Sequence, residues 1–315
     1  MEIRVLGCYG GADANFRLTS FLVNGTFAVD AGAIVNALTF EEQQNITDIY
    51  ISHIHLDHVN SLPFLFDNIF GMREEPIRVY SHNGVIEHLK NHIFNDICWP
   101  DFSVLPTPQR PTVEYIEVPV GKEFKVGNLS VLPVEVNHLV PNAGVVVTEN
   151  GKSWVYPSDT ADTDEIWEVV NGLEDPCLLF LECSFPNRFE RLAEESCHLT
   201  PAGVELQLSK INRPIPTRVY HCKPSAIKEI SAELKKIDYP DLAFLQQDTT
   251  YTISPCCLRQ QGVVFLICYK GLLLPVALFL FFLLFLGDVT HYQGDGNKPH
   301  TDKGWYIAKA RHLLH

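Results

Sequence analysis

The sequence is short of positive charge. Against 38 Asp and Glu it carries 24 Lys and Arg, a formal net charge of −14. A protein that coats DNA or RNA needs the opposite balance, because neutralising phosphates drives that binding. A small anionic substrate is still allowed, since a bound metal supplies local positive charge. There is also no CxxC pair. The nine cysteines (Cys8, Cys98, Cys177, Cys183, Cys197, Cys222, Cys256, Cys257 and Cys268) are scattered and odd in number. They read as thiols of a reducing compartment, not as a disulfide framework or a thiolate zinc site. The opening MEIRVLGCYGG has no basic stretch ahead of an apolar run, so it does not read as a secretory leader. No repeat or low-complexity block precedes residue 260. The 315 residues, 46% hydrophobic and 20% charged, suit a globular chain with ample core, as one large domain or two small ones.

One segment departs from these averages. Between Gly262 and Leu286 the only charge is Lys270. As a helix those residues would span about 37 Å, enough for a bilayer core. Phe and Leu on every face leave no polar stripe for a buried soluble helix. A transmembrane helix is therefore expected over 262–286, after a catalytic domain over 1–253 and a linker over 254–261, with a tail of unassigned role over 287–315. Residues 1–260 hold 19 basic and 35 acidic residues, net −16, whereas residues 261–315 are net +2. The expected location is a membrane-anchored protein with its catalytic domain in the cytoplasm. Lys298, Lys303, Lys309 and Arg311 pull the tail towards the same side, which one span cannot satisfy. Cys256 and Cys257 would lie at the membrane edge; unmodified thiols are preferred there over acylated ones.

Within the first 253 residues strands come first and then alternate with helices. Asn24-Gly25 and Glu149-Asn150-Gly151 predict hairpins. Strands are predicted over 2–6, 46–52, 78–81, 129–136 and 177–182, and at 218–221. Helices are predicted over 59–70, 83–94, 201–211 and 225–236, the third capped by Thr200 ahead of Pro201. The proline-rich stretch 100–112 reads as a loop.

The chemistry concentrates in His53-x-His55-x-Asp57-His58, where four potential ligands fall in six residues directly after an apolar strand. A continuous helix would scatter them, whereas a tight strand-to-helix loop aims them into one cavity. Imidazoles with a carboxylate suit zinc, with manganese or iron as alternatives. His138, Asp159 and His221 each follow a predicted strand. Any one alone reads as a solvated strand-end residue, but together with the cluster they fill two adjacent metal sites.

These residues make the chain resemble the metallo-β-lactamase superfamily of binuclear metallohydrolases over about residues 1–253. The resemblance implies a four-layer αββα sandwich and two divalent metal ions. His53, His55 and His138 would hold one metal, and Asp57, His58 and His221 the other, with Asp159 bridging. Asp30 matches a position that supports a ligand, though a turn acceptor is an equal reading. The finer resemblance is to class II 3′,5′-cyclic-nucleotide phosphodiesterases. It is carried by Leu56 inside the ligand loop, the opening VLGCYGG with NFRLTSFLV, Glu182-Cys183-Ser184-Phe185, Cys197-His198-Leu199-Thr200-Pro201 and His221-Cys222-Lys223-Pro224.

That likeness implies hydrolysis of cyclic nucleotides to nucleoside 5′-monophosphates. Asp57 would serve at the metal pair, and His198 would give a proton to the leaving 3′ oxygen, held in its tautomer by Glu182. Lys223 reads equally as a phosphate partner or a solvated lysine, and Gly10-Gly11 reads as a turn. The implied partners are a small cyclic nucleotide, the membrane through 262–286 and a second copy in a homodimer, with no nucleic acid. Two alternatives compete. One is another hydrolase of the fold, such as a tRNA 3′-processing nuclease or a thioesterase. The other is a non-catalytic, membrane-tethered module that binds metal or nucleotide. The tRNA nucleases usually carry Gly in place of Leu56 and a basic RNA-binding arm, which is not found here.

Overall fold

A computed structural model describes residues 1–254 and 258–261. The strands, in chain order, are β1 (Glu2–Gly7), β2 (Ser20–Val23), β3 (Phe27–Val29), β4 (Asp48–Tyr50), β5 (Ile77–Ser81), β6 (Pro106–Thr107), β7 (Arg110–Pro111), β8 (Val113–Glu117) and β9 (Phe124–Val126). They continue as β10 (Leu129–Glu135), β11 (Ala143–Glu149), β12 (Lys152–Tyr156), β13 (Asp175–Glu182), β14 (Thr217–Tyr220), β15 (Leu242–Phe244), β16 (Thr250–Ile253) and β17 (Leu258–Gln261). One eight-stranded sheet runs β17-β16-β1-β2-β3-β4-β5-β8. A seven-stranded sheet runs β15-β14-β13-β12-β11-β10-β9, and β6 and β7 form a small separate hairpin.

Three apolar layers show how these sheets stack. Phe21, Phe27 and Tyr50 of the first sheet pack with Trp154, Tyr156 and Phe180 of the second in one buried cluster. The outer face of the first sheet (Ala28, Ile49, Val79) packs against Ile34, Leu62, Leu65, Phe66 and Val85 of helices. The outer face of the second (Val155, Leu179, Val219) packs against Ile166, Trp167, Val204, Leu208 and Ile230 of other helices. Sheets buried on both faces need apolar residues at successive positions, which is why β13 reads Cys-Leu-Leu-Phe-Leu rather than alternating. The result is an αββα sandwich, as expected.

Local rules explain most of the elements. Asn150 and Gly151 both take positive φ, 51° and 75°, and close the β11–β12 hairpin with Glu149 opposite Lys152. Thr200 accepts a hydrogen bond from the Gly203 amide and caps the helix Pro201–Ser209. Thr39 and Glu42 form a reciprocal capping box on the helix Phe40–Gln44.

Some expectations change. The helix predicted over 59–70 is two pieces, Leu56–Val59 and Leu62–Asn68, because Pro63 starts a fresh first turn after Ser61. The 83–94 helix is α-helical over Asn83–His88 and widens to a π-helix over Leu89–Ile93. The 100–112 loop contains β6 and β7. Part of the segment read as linker, Leu258–Gln261, pairs antiparallel with β16. The membrane span expected over 262–286 and the tail 287–315 lie outside the described residues. Among the described residues no helix is long and apolar enough to cross a membrane.

Candidate metal centre

The predicted ligands gather at the carboxyl ends of strands from both sheets. His53 and His55 follow β4, His138 follows β10, Asp159 follows β12 and His221 follows β14. The loop expected to carry all four residues of the cluster is shorter than predicted. His53 and His55 precede a single helical turn, Leu56–Val59, with His55 at its N-cap, and Asp57 and His58 ride on the turn itself. One turn is too short to scatter them.

Two groups form. His53, His55 and His138 bring one ligand atom each to within 4.8 Å of one another, and Asp57, His58, Asp159 and His221 do the same. Asp159 Oδ2 lies between them, 3.8 Å from His53 Nε2, 3.2 Å from His58 Nε2 and 3.1 Å from His221 Nε2. His221 Nε2 also sits 3.0 Å from Asp57 Oδ2, and His138 Nε2 sits 3.1 Å from His55 Nδ1.

The donors fit divalent cations on the structure's own terms. His53 Nε2, His58 Nε2 and Asp159 Oδ1 are buried without a hydrogen-bond partner. Each such orphan costs about 1–3 kcal/mol if nothing engages it. A cation among them would satisfy the whole set. Burial, followed by the charges of neighbouring imidazoles, pushes His53 well below the usual histidine range, which leaves its ring neutral and able to donate a lone pair. Burial likewise lowers His55 and His138. Burial opposes ionisation of Asp57, but the His221 hydrogen bond and the charges of His58 and His221 outweigh it and hold the carboxyl below its ordinary range. Asp159 is held low in the same way by His221 and His58.

A second ring of residues fixes the far nitrogen of four of these histidines. His58 Nδ1 lies 2.7 Å from Asp30 Oδ2. His53 Nδ1 lies 3.0 Å from Ser52 Oγ, and His221 Nδ1 lies 2.8 Å from Ser184 Oγ. His138 Nδ1 donates to the Cys197 carbonyl at 3.0 Å. Such contacts set the tautomer and aim of a ligand. Asp30 is therefore more than a turn acceptor: it also takes hydrogen bonds from the Ser52 amide and the Tyr156 hydroxyl.

Ser52, Tyr156 and Ser158 are not singled out by the sequence, and Ser184 and Cys197 enter there only within motifs, with no role of their own. The available signal was adjacency, because Ser52 precedes His53, Ser158 precedes Asp159 and Ser184 stands two residues after Glu182. Backbone strain marks the same place. Asp30, Ser158, Cys197 and His221 all take positive φ, between 52° and 64°, a cost that clusters at functional sites.

The remaining predicted residues also converge. Glu182 is fully buried. Its Oε1 lies 2.7 Å from His198 Nδ1 and accepts from the Thr160 amide; its Oε2 accepts from the Leu199 amide and the Ser184 hydroxyl. Burial opposes charge on His198, but the Glu182 carboxylate and its hydrogen bond raise the ring above its usual range. The His198 ring stacks on His221 at 5.2 Å. Lys223 is half-buried, and its Nζ donates to the Gly10 carbonyl and lies near enough to His198 to oppose charge on that ring. Gly10 is more than a turn residue, because a Cβ there would meet the His221 carbonyl at 2.5 Å and its Nδ1 at 2.7 Å.

An αββα sandwich that gathers five histidines and two aspartates into two ligand groups, with the Glu182–His198 pair beside them, defines a metallohydrolase. The chain belongs to the β-lactamase superfamily, whose domain model matches residues 21–221. It is 25% identical over 250 residues to a probable 3′,5′-cyclic-nucleotide phosphodiesterase of Yersinia pestis, covering 69% of this chain and 70% of that protein. It is 32% identical over 170 residues to a ribonuclease Z of Pyrococcus abyssi, covering 54% of this chain and 47% of that protein. In structure it is similar to unliganded yeast PDE1, with a TM-score of 0.67 at 19% identity over 79% of this chain and 98% of that one. At that identity the structural likeness speaks for the fold alone. The fold family implies bound divalent metal and hydrolytic chemistry.

Proposed function

We propose that the protein hydrolyses 3′,5′-cyclic nucleotides to nucleoside 5′-monophosphates. His53, His55 and His138 hold one divalent cation, and Asp57, His58 and His221 the other, with Asp159 shared. The histidine-rich set favours zinc, and manganese or iron also suit it. When bound, the two cations supply Lewis-acid stabilisation of the phosphoryl charge and lower the pKa of the attacking water.

The chain's own residues do the rest. The observation that carries the reaction is His198 on Glu182 beside both ligand groups. With Nδ1 facing the carboxylate, Nε2 is the atom that gives a proton. As the phosphorus–O3′ bond breaks, O3′ leaves with the bond's electron pair and takes that proton, so the product is a neutral 3′-hydroxyl. Asp30, Ser52 and Ser184 hold the ligand rings at fixed angles throughout. The substrate class rests on the likeness to the Yersinia phosphodiesterase. A tRNA-processing reading draws on the ribonuclease Z relatives, but a net charge of −16 over residues 1–260 opposes a long polyanion. In this reading the apolar run 262–286 attaches the domain to a membrane, with the domain on the cytoplasmic side.

The test is direct. Zinc- or manganese-loaded protein should convert cyclic AMP or cyclic GMP to the 5′-monophosphate, resolved from the 3′ isomer by chromatography. No turnover of any 3′,5′-cyclic nucleotide overturns the reading. Cleavage of precursor tRNA by that same inactive preparation would install the nuclease in its place.

A further inference from the structure

Strand register brings a serine between the proton donor's carboxylate and one of the candidate ligands. β13 and β14 run parallel, with Glu182 beside Tyr220. The chain leaving each strand therefore puts Ser184, two residues past Glu182, next to His221, one past Tyr220. The Ser184 amide donates to the Leu199 carbonyl at 3.0 Å, which fastens this segment to the one carrying His198. Glu182 and Ser184 are fully buried, and His221 is buried with a left-handed φ of 64°. Ser184 Oγ stands 2.8 Å from His221 Nδ1 and 3.1 Å from Glu182 Oε2.

Counting protons gives this chain of contacts a direction. A cation held at His221 Nε2 needs the lone pair there, so the ring's proton lies on Nδ1 and is donated to Ser184 Oγ. The hydroxyl's own proton then has two oxygens in reach: Glu182 Oε2 at 3.1 Å and the His221 carbonyl at 3.4 Å. The nearer one is also charged, and a hydrogen bond to a carboxylate is roughly twice as strong as a neutral one. Glu182 Oε1 meanwhile faces His198 Nδ1 at 2.7 Å. The Thr160 and Leu199 amides complete four donors on the two oxygens, which is what one carboxylate can accept. Glu182 thus meets His198 directly and His221 through one hydroxyl.

We infer that Ser184 is a positioning residue that couples the metal centre to the proton donor. Glu182 holds the His198 ring on one oxygen and, through Ser184, aims His221 at its cation with the other. The inference rests on the metal assignment proposed above and is independent of the substrate. Replacing Glu182 or removing the Ser184 hydroxyl breaks the same chain, so their effects on metal binding do not add. His53, His55 and His138 take no part in it, so the first metal is untouched. His198 hangs on the other oxygen, and its loss leaves the hold on His221 intact.

Zinc affinity of the full chain, read by chelator competition, tests this without turnover. Ser184→Ala should weaken one of the two zincs by about 10–100-fold and leave the other within about twofold of wild type. Ser184→Thr, which keeps the hydroxyl, should recover most of that loss. Glu182→Gln should weaken the same zinc, and the double variant should bind it no more weakly than Ser184→Ala alone. Unchanged zinc binding in Ser184→Ala overturns the inference. So does equal weakening of both zincs, which marks a general loss of structure, and so do losses that multiply in the double variant. Wild type that binds fewer than two zincs overturns the metal assignment, and this inference falls with it. The expected zinc pattern in protein that hydrolyses no cyclic nucleotide upholds the coupling and overturns the substrate reading alone.

Discussion

Replacing Asp30 with Asn separates a ligand-positioning role from a merely structural one. The carboxylate is fully buried and accepts from four groups: the Ser52 amide and hydroxyl at 2.9 Å, Tyr156 Oη at 2.6 Å and His58 Nδ1 at 2.7 Å. Asn has the same shape and tolerates the positive φ of 55° at this position. Its amide nitrogen, however, is a donor. Whichever way the group turns, that NH2 faces either the Ser52 amide or the pair formed by Tyr156 and His58. One buried donor is left facing another, at a cost of about 1–3 kcal/mol in unfolding free energy. His58 also loses its anionic anchor, and loss of such a partner weakens a metal site by about 10–100-fold. Urea unfolding reads the first effect and chelator competition for zinc reads the second. Tyr156→Phe is the control. It removes one of the four donors, so stability should fall by about 1 kcal/mol with metal affinity unchanged. If Asp30→Asn lost stability but held metal within twofold of wild type, Asp30 would be a packing residue and the argument for His58 would fail.

Three further outcomes follow from the geometry. Asp159→Ala should empty both ligand groups and abolish hydrolysis, because Oδ2 of this residue faces histidines of each; elemental analysis showing two retained metals would refute the shared-ligand assignment. His198→Ala should lower kcat by about 10²–10⁴ while metal content stays at the wild-type level. A loss of metal in that variant would make His198 a ligand instead. Away from the site, Glu42 is held below its ordinary carboxylate range by the Thr39 amide and then by Arg4. A depressed folded pKa stabilises above the unfolded pKa, and that stability is lost as pH falls through the folded value. Glu42→Gln should therefore lower the unfolding midpoint at neutral pH and converge with wild type in acid. Equal gaps at both pH values would refute the linkage.

The cluster of candidate ligands was legible because metal chemistry admits few residue types. Imidazoles two and three positions apart after an apolar strand have few other uses, and the later ligands stand where strands end. Hairpins at Asn24-Gly25 and Asn150-Gly151 were legible for a similar reason, since left-handed backbone at the turn narrows the choice to Gly and Asn. Serine is a common residue in any loop, so Ser52 carried no such signal and Ser184 stood only as part of a motif, even though each meets a histidine. Gly10 looked like one more turn glycine because the group it must avoid, His221, is more than 200 positions away in sequence. The helical turn at Leu56–Val59 was hidden because ligand spacing suggested a loop, and a single turn satisfies the same spacing. Strands β8 and β9 escaped because their polar, partly exposed positions break the apolar pattern.

The acidity of the chain takes on a different meaning once these side chains are located. Asp30, Asp57, Asp159 and Glu182 all count towards the −16 of residues 1–260, yet all four face one site, and Asp30, Asp159 and Glu182 are buried there. Buried carboxylates this close to one another survive only with compensating positive charge. Among the described residues the side chains facing these carboxylates are imidazoles: His58 at Asp30 and Asp159, His221 at Asp57 and Asp159, and His198 at Glu182. Divalent cations on the first two of these clusters would offset the carboxylates and leave a local positive charge. Three of the carboxylates counted in the −16 are thus buried at the site and are not part of the acidic surface.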